Sequence, residues 1–289
     1  MLKADFTAPD FKTLTRQGFV ADMHFHTSYS HDCATPVKDI IRQARKLGIW
    51  VAITDHNRIG GVLEARRFKD APIIPGIEIC SREGKEVIAY FSDDKELKAF
   101  YDKRIKPYLK DKNALRSSRT PIPMADLLDF LSREQCVVHL PHPFGPQPRR
   151  SYGFFMRKQR AHLLPLVDSV EVFNSQMTRR SNLSALGWAV QLGKGAAGGS
   201  DGHRLRSLGR AVTVTNASSV AEHLDRIRKG DVRVYGAELR PHERAWVYAS
   251  TTVKVKLQNG VKDGIRKGIS FPGRASKRIL DELRIKRMD

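Results

Sequence analysis

The chain has 289 residues, long enough for one large domain or two small ones built around a buried core. Its composition, 40% hydrophobic and 28% charged, excludes a disordered or fibrous protein. Lys and Arg number 51 against 31 Asp and Glu; the net charge of +20 points to polyanionic partners (nucleic acid, acidic membrane or phosphorylated substrates) and says nothing of reaction.

No run of about 18 apolar residues occurs, so no membrane-spanning helix is expected. The start, MLKADFTAPD, lacks the apolar core of a signal peptide. Cys33, Cys80 and Cys136 are far apart and form no CxxC pair, which argues against a disulfide framework and a thiolate zinc site. A cytoplasmic location is the expectation.

Short apolar runs alternate with amphipathic patterns. GFVADMHFH (18–26) predicts a first strand. TPVKDIIRQARKLG (35–48) predicts a helix with Thr35 as N-cap, Pro36 at the first helical position and Gly48 as its stop. IWVAITDH is a second strand. APIIPGIEICS and EVIAYFS are two more, joined by the turn REGK. MADLLDFLSRE predicts a helix and CVVHLPH a strand. DSVEVFN is a strand, RRSNLSALGWAVQLG a helix, and KGAAGGSDGH a short Gly-rich strand. AVTVTNASSVAEHLDRIRKG adds a strand and a helix. This alternation predicts an α/β fold with a largely parallel sheet, and seven or eight such units would close into a barrel. The barrel is assigned to residues 1–240. The basic remainder, 241–289, breaks the pattern; WVYASTTVKVKLQNG reads as an antiparallel addition and SKRILDELRIKRM as a terminal helix.

In such a barrel, polar residues at strand C-terminal ends gather at one mouth. The first strand ends in His24 and His26, two apart and so on one face. The second ends at His56, and PGIEIC contributes Glu78. CVVHLPH offers His139 and His142, of which His139 faces the other side of its strand and is read as structural. The Gly-rich strand ends in Asp201 and His203, and Asp32 lies in the first loop. A single such histidine is usually a satisfied polar residue. Five strand ends that each supply His, Asp or Glu point instead to metal binding. Imidazole and carboxylate without thiolate suit manganese, zinc or iron, and so many ligands suggest a multinuclear centre with Glu78 as the bridge.

The ordered motifs DMHFHTSYSHD, TDHN, PGIEI, PHPFG and GSDGH resemble those of the PHP (polymerase and histidinol phosphatase) superfamily over roughly residues 20 to 215. The resemblance implies a distorted (β/α)7 TIM-like barrel, two or three divalent ions and phosphoester hydrolysis. Position by position, it implies His24, His26, Glu78 and Asp201 for a first metal, Glu78 and His142 for a second, and Asp32, His56 and His203 for a third. Many members carry a His where this chain has Glu86, which is either a substitute ligand or a surface glutamate of the hairpin.

The expected reaction is attack of a metal-activated hydroxide on phosphorus. Asp32 or His203 is the candidate for assisting the leaving oxygen. Arg149, Arg150, Arg179 and Arg204 are candidates for gripping phosphate oxygens, and Asn174 for orienting a ligand or the substrate. The basic charge favours a nucleotide or a nucleic-acid end as substrate. The alternatives are a small-molecule phosphatase of the histidinol phosphate type and a catalytically idle nucleic-acid-binding barrel.

Overall fold

The strand-forming runs of the chain assemble into one ten-stranded sheet in a computed structural model that describes residues 2–109, 119–146 and 149–244. The strands are β1 (Lys3–Asp5), β2 (Phe19–Phe25), β3 (Trp50–Ile53), β4 (Ile73–Cys80), β5 (Glu86–Phe91), β6 (Cys136–Leu140), β7 (Ser169–Asn174), β8 (Gly195–Gly199), β9 (Ala211–Thr215) and β10 (Arg233–Gly236). Their order across the sheet is β1-β10-β9-β2-β3-β4-β5-β6-β7-β8. The helices are α1 (Phe11–Gln17), α2 (Val37–Leu47), α3 (Gly60–Ala65), α4 (Asp94–Phe100), α5 (Met124–Ser132), α6 (Tyr152–Phe155), α7 (Arg179–Leu192) and α8 (Val220–Lys229).

The fold is α/β, as the alternation predicts, and two features differ from expectation. The sheet is mixed: β9 is antiparallel to β2 and β10, and β5 is antiparallel to β4 and β6. A turn as short as REGK can only reverse the chain, and a parallel neighbour would need a crossover. Helix α2 also starts one residue late. Pro36, extended at φ −67° and ψ 142°, occupies the cap position given to Thr35, while Gly48 ends the helix in the left-handed region as expected. The strand and helix predicted within 245–289 lie outside the described residues. Near the assigned boundary at 240, the Arg210 guanidinium pairs with Glu243 at 2.8 Å.

The sheet curls into a half-barrel until β8 meets β2 and β9, without a backbone ladder between them. Gly198 N–H donates to Thr213 Oγ1 at 2.8 Å, and Ser200 N–H donates to Asp22 Oδ1 at 2.8 Å. Gly199 permits this closure, because a Cβ there would stand 2.5 Å from the His24 backbone nitrogen. Inside the curl, the fully buried Tyr90 on β5 donates its hydroxyl to the Met23 carbonyl on β2 at 2.7 Å. Outside, Ile40 and Ala44 of α2 pack with Val20, Ile49 and Val51. Burying each such aliphatic side chain contributes about 1.5–3 kcal/mol.

Candidate metal centre

Strand alternation brings His24, near the end of β2, and His26, just beyond it, to the same interior face, both fully buried. After β3 the chain places His56 in an isolated bridge with Glu78 of β4. Because β5 runs antiparallel, its first residue, Glu86, pairs with Cys80 and comes to the same end as Glu78. His142 follows β6 and Asp201 follows β8. Asn57, His142 and Asp201 all adopt positive φ, at 52°, 29° and 50°. Non-glycine residues in that region cost about 1–3 kcal/mol each and concentrate at functional sites.

The side chains converge on small gaps. His24 Nε2 and His26 Nε2 are 3.2 Å apart. Glu78 Oε2 lies 3.6 and 3.5 Å from them, and Asp201 Oδ1 lies 3.6 and 3.4 Å away. Atoms bound tetrahedrally at about 2.0–2.1 Å stand roughly 3.3–3.4 Å from each other, so the spacing of His24, His26 and Glu78 fits a cation, with Asp201 near both rings. The other Glu78 oxygen, Oε1, is 3.3 Å from His142 Nε2, which is 3.5 Å from Glu86 Oε2. A third group forms where Asp32 Oδ2 lies 3.3 Å from His56 Nε2 and 3.0 Å from His203 Nε2. His26, Asp32, His56 and His203 together form one candidate ligand set, His24, His26 and Glu78 another, and His56, Glu78 and Glu86 a third.

Hydrogen bonding leaves this cluster unfinished. Both oxygens of Glu78, both ring nitrogens of His56, Asp32 Oδ1 and Glu86 Oε2 are buried and make no well-aligned hydrogen bond among the described residues, although His56 Nδ1 lies 2.9 Å from Glu78 Oε2. Buried polar atoms are normally paired, so six such atoms in one place indicate a missing partner of positive charge. Imidazole nitrogens and carboxylate oxygens are the donors a divalent zinc, manganese or iron ion takes. The residues present therefore fit the ions that the sequence implies.

Electrostatics agree. Burial and then Glu78 push the Glu86 carboxyl above its ordinary range, as expected of two acids sharing a dry site. Burial opposes ionisation of Asp201, yet His24, His26 and His203 hold its carboxyl well below the usual range. Burial likewise depresses His24, but Asp201, Glu171 and Glu78 outweigh it and raise the ring above the ordinary histidine value.

The model of the PHP domain matches residues 22–112, and that of the PHP-associated region matches 179–232. The chain belongs to the PHP superfamily. A protein of Methanocaldococcus jannaschii, named only as uncharacterized, is 28% identical over 191 residues, 66% of this chain and 68% of its own length. A Bifidobacterium adolescentis structure assigned as a metal-dependent phosphoesterase superposes with a TM-score of 0.53 at 18% identity, covering 76% of this chain and 97% of that one. A lesion-specific endonuclease from Pyrococcus furiosus gives 0.57 at 15% identity, over 75% of this chain and 57% of its own. At those identities the likeness is one of fold.

Within the PHP cluster, Glu86 is only 2% exposed, so it is not the surface glutamate of a hairpin. His139 donates to or accepts from Ser169 Oγ at 2.8 Å, away from the gaps, as its strand phase implies. Asn174 is buried and its amide donates to Asp201 Oδ2 at 3.2 Å. The arginines divide. Arg149 reaches the cluster, with Nε 3.6 Å from Glu86 Oε1, and Glu86 is the chief reason its guanidinium is held more firmly protonated than usual. Arg150 lies over the Phe144 and Tyr152 rings. Arg179 does not face the cluster: it is paired with Glu238 at 2.6 Å and stacked on Phe6. Burial and then Arg206 lower the Arg204 guanidinium from its ordinary range.

Three supporting residues escape the motif reading. Glu171 sits 3.0 Å from His24 Nδ1 and accepts from His142 N–H at 2.7 Å. Ser30 Oγ is 3.1 Å from His26 Nδ1 and accepts from His56 N–H at 2.9 Å. Gln176 donates to the Asp201 carbonyl and lies 3.3 Å from His203 Nδ1. Only Glu171 left a trace in the sequence, as an acid in the otherwise apolar strand VEVFN.

Proposed function

We propose that the protein is a metal-dependent phosphoesterase acting on a nucleotide or a nucleic-acid end in the cytoplasm. The observation that carries this is the convergence of His24 Nε2, His26 Nε2 and Glu78 Oε2 on one buried gap, with Asp201 Oδ1 3.4–3.6 Å from both rings and several buried polar atoms beside them lacking hydrogen-bond partners. Two or three ions of manganese, zinc or iron, when bound, would acidify water and neutralise phosphoryl oxygens. The basic charge of the chain, the three buried free thiols and the fold shared with an endonuclease support the rest of the reading.

Each residue then has a role. His24, His26, Glu78 and Asp201 would hold one ion. Glu78, whose second oxygen faces His142, would with His142 and Glu86 serve a second. Glu171 fixes the His24 ring through Nδ1, which leaves Nε2 free for the gap. Asn174 holds the outer oxygen of Asp201. Asp32, His56 and His203 would hold a third ion; where they do not, His203 Nε2, braced by Asp32 at 3.0 Å, is placed to deliver a proton to the leaving oxygen. Arg149, beside Glu86 at the cluster, grips a phosphate oxygen.

The test is phosphate release by Mn²⁺-reconstituted protein across p-nitrophenyl phosphate, histidinol phosphate, nucleoside bisphosphates and short oligonucleotides. Activity should appear in the wild type and fall at least 100-fold in Asp201→Ala. Equal activity in both proteins defeats the proposal, and preference for histidinol phosphate turns it toward a small-molecule phosphatase.

A further inference from the structure

A second concentration of charge stands beside the metal centre. The β4–β5 turn and the segment from Arg150 to Arg160 enclose a cavity of about 330 Å³, lined chiefly by Glu83, Lys85, Arg150, Phe154, Arg157 and Arg160. Four of these are cations. Glu83 is the one acid of the lining, and its carboxylate is occupied in accepting the Met124 N–H at the start of α5, at 3.0 Å. The Arg160 guanidinium lies over the Phe154 ring at 4.0 Å, which uses its face and leaves its N–H edge for a ligand. Gly153 adds no bulk to the wall, having open space where a Cβ would sit.

The cavity and the centre share their scaffolding. Lys85 immediately precedes Glu86, and Arg150 immediately follows Arg149. Two separate segments thus carry one residue to the ions and its chain neighbour to the cavity. A monoester has a single phosphate, which the centre would take. A separate cation-lined cavity calls for a second phosphate joined to the first.

We propose that this cavity binds a backbone phosphodiester of a polynucleotide strand, flanking the bond presented to the metal centre. The inference rests on the phosphoesterase reading for its geometry, but its test does not require turnover. The full-length protein in EDTA is titrated with a fluorescently labelled single-stranded 10-mer, and anisotropy gives Kd over a range of salt. Arg157→Ala/Arg160→Ala should weaken binding at least tenfold and flatten the plot of log K against log salt by about 0.7, the value for one phosphate no longer neutralised. Arg157→Lys/Arg160→Lys, which keeps the charge, should restore most of the salt slope and so separate a lost contact from a damaged fold. A change of less than twofold in the alanine variant overturns the proposal. So does an equal loss of affinity for a nucleoside 3′,5′-bisphosphate, which would make the cavity a subsite for a small substrate. If no substrate is hydrolysed by wild type while the 10-mer still responds, the phosphoesterase reading fails and the cavity assignment stands.

Discussion

Glu171 shows how much of the site depends on residues that never touch an ion. One oxygen faces His24 Nδ1 and the other takes both the His142 N–H and the Asn174 amide, so a single carboxylate sets the orientation of residues from β2, β7 and the loop after β6. Glu171→Gln replaces an acceptor with a donor in that net. Metal affinity should fall about 10–100-fold, measured by competition with a chromophoric chelator, with little change in far-ultraviolet circular dichroism. His223 makes a different residue-scale prediction. Burial between Thr215 and the Phe19 ring pushes its pKa down to about 3. The unfolded chain takes up a proton near 6.5 and the folded one does not until about 3. Its contribution is therefore complete above pH 6.5 and is lost as pH falls, at about 1.4 kcal/mol per pH unit. His223→Gln, which lacks the titration, should move the acid-unfolding midpoint to lower pH in a circular dichroism titration. A midpoint unchanged or raised would contradict this account.

Among the elements, β5 and β8 decide the shape of the site. An antiparallel β5 presents its N-terminal end where its neighbours present their C-terminal ends, and that reversal alone turns Glu86 inward beside Glu78. The hairpin was legible from REGK, whereas the depth of Glu86 was not, because strand direction relative to the whole sheet is not written in a turn. The Gly-rich β8 is legible as a strand of unusual composition, and its purpose becomes clear only against β2. Gly199→Ala would drive a methyl into the His24 backbone and side chain. The expected cost is about 1–3 kcal/mol in urea unfolding, with a loss of metal affinity because His24 must shift. An alanine tolerated at full stability and affinity would show that β8 has room to retreat.

For the whole molecule, acids and histidines packed without enough positive charge make the fold dependent on its ions. Cations bound only by the folded state stabilise it by about 2.7 kcal/mol each at 100 times Kd. For a chain of this size, chelation should lower Tm by roughly 5–10 °C for each ion lost, read by calorimetry with and without EDTA. No response to Mn²⁺, Zn²⁺ or Fe²⁺ would argue that the cluster is held by protons alone. The net charge of +20 acts on the same scale, drawing polyanions toward the molecule without choosing among them.

The sequence by itself determined the α/β class, most element positions and the residues that could ligate a metal, because strand periodicity, helix stops and the spacing of HFH and SDGH are local properties. Tertiary structure alone decided the mixed direction of the sheet, the inward position of Glu86, the separation of Arg149 from Arg179, and the supporting roles of Glu171 and Ser30. Those outcomes depend on which distant strands the curl brings together. Glu171 and His24 are separated by 147 positions and meet at 3.0 Å, a contact that no short window of sequence contains.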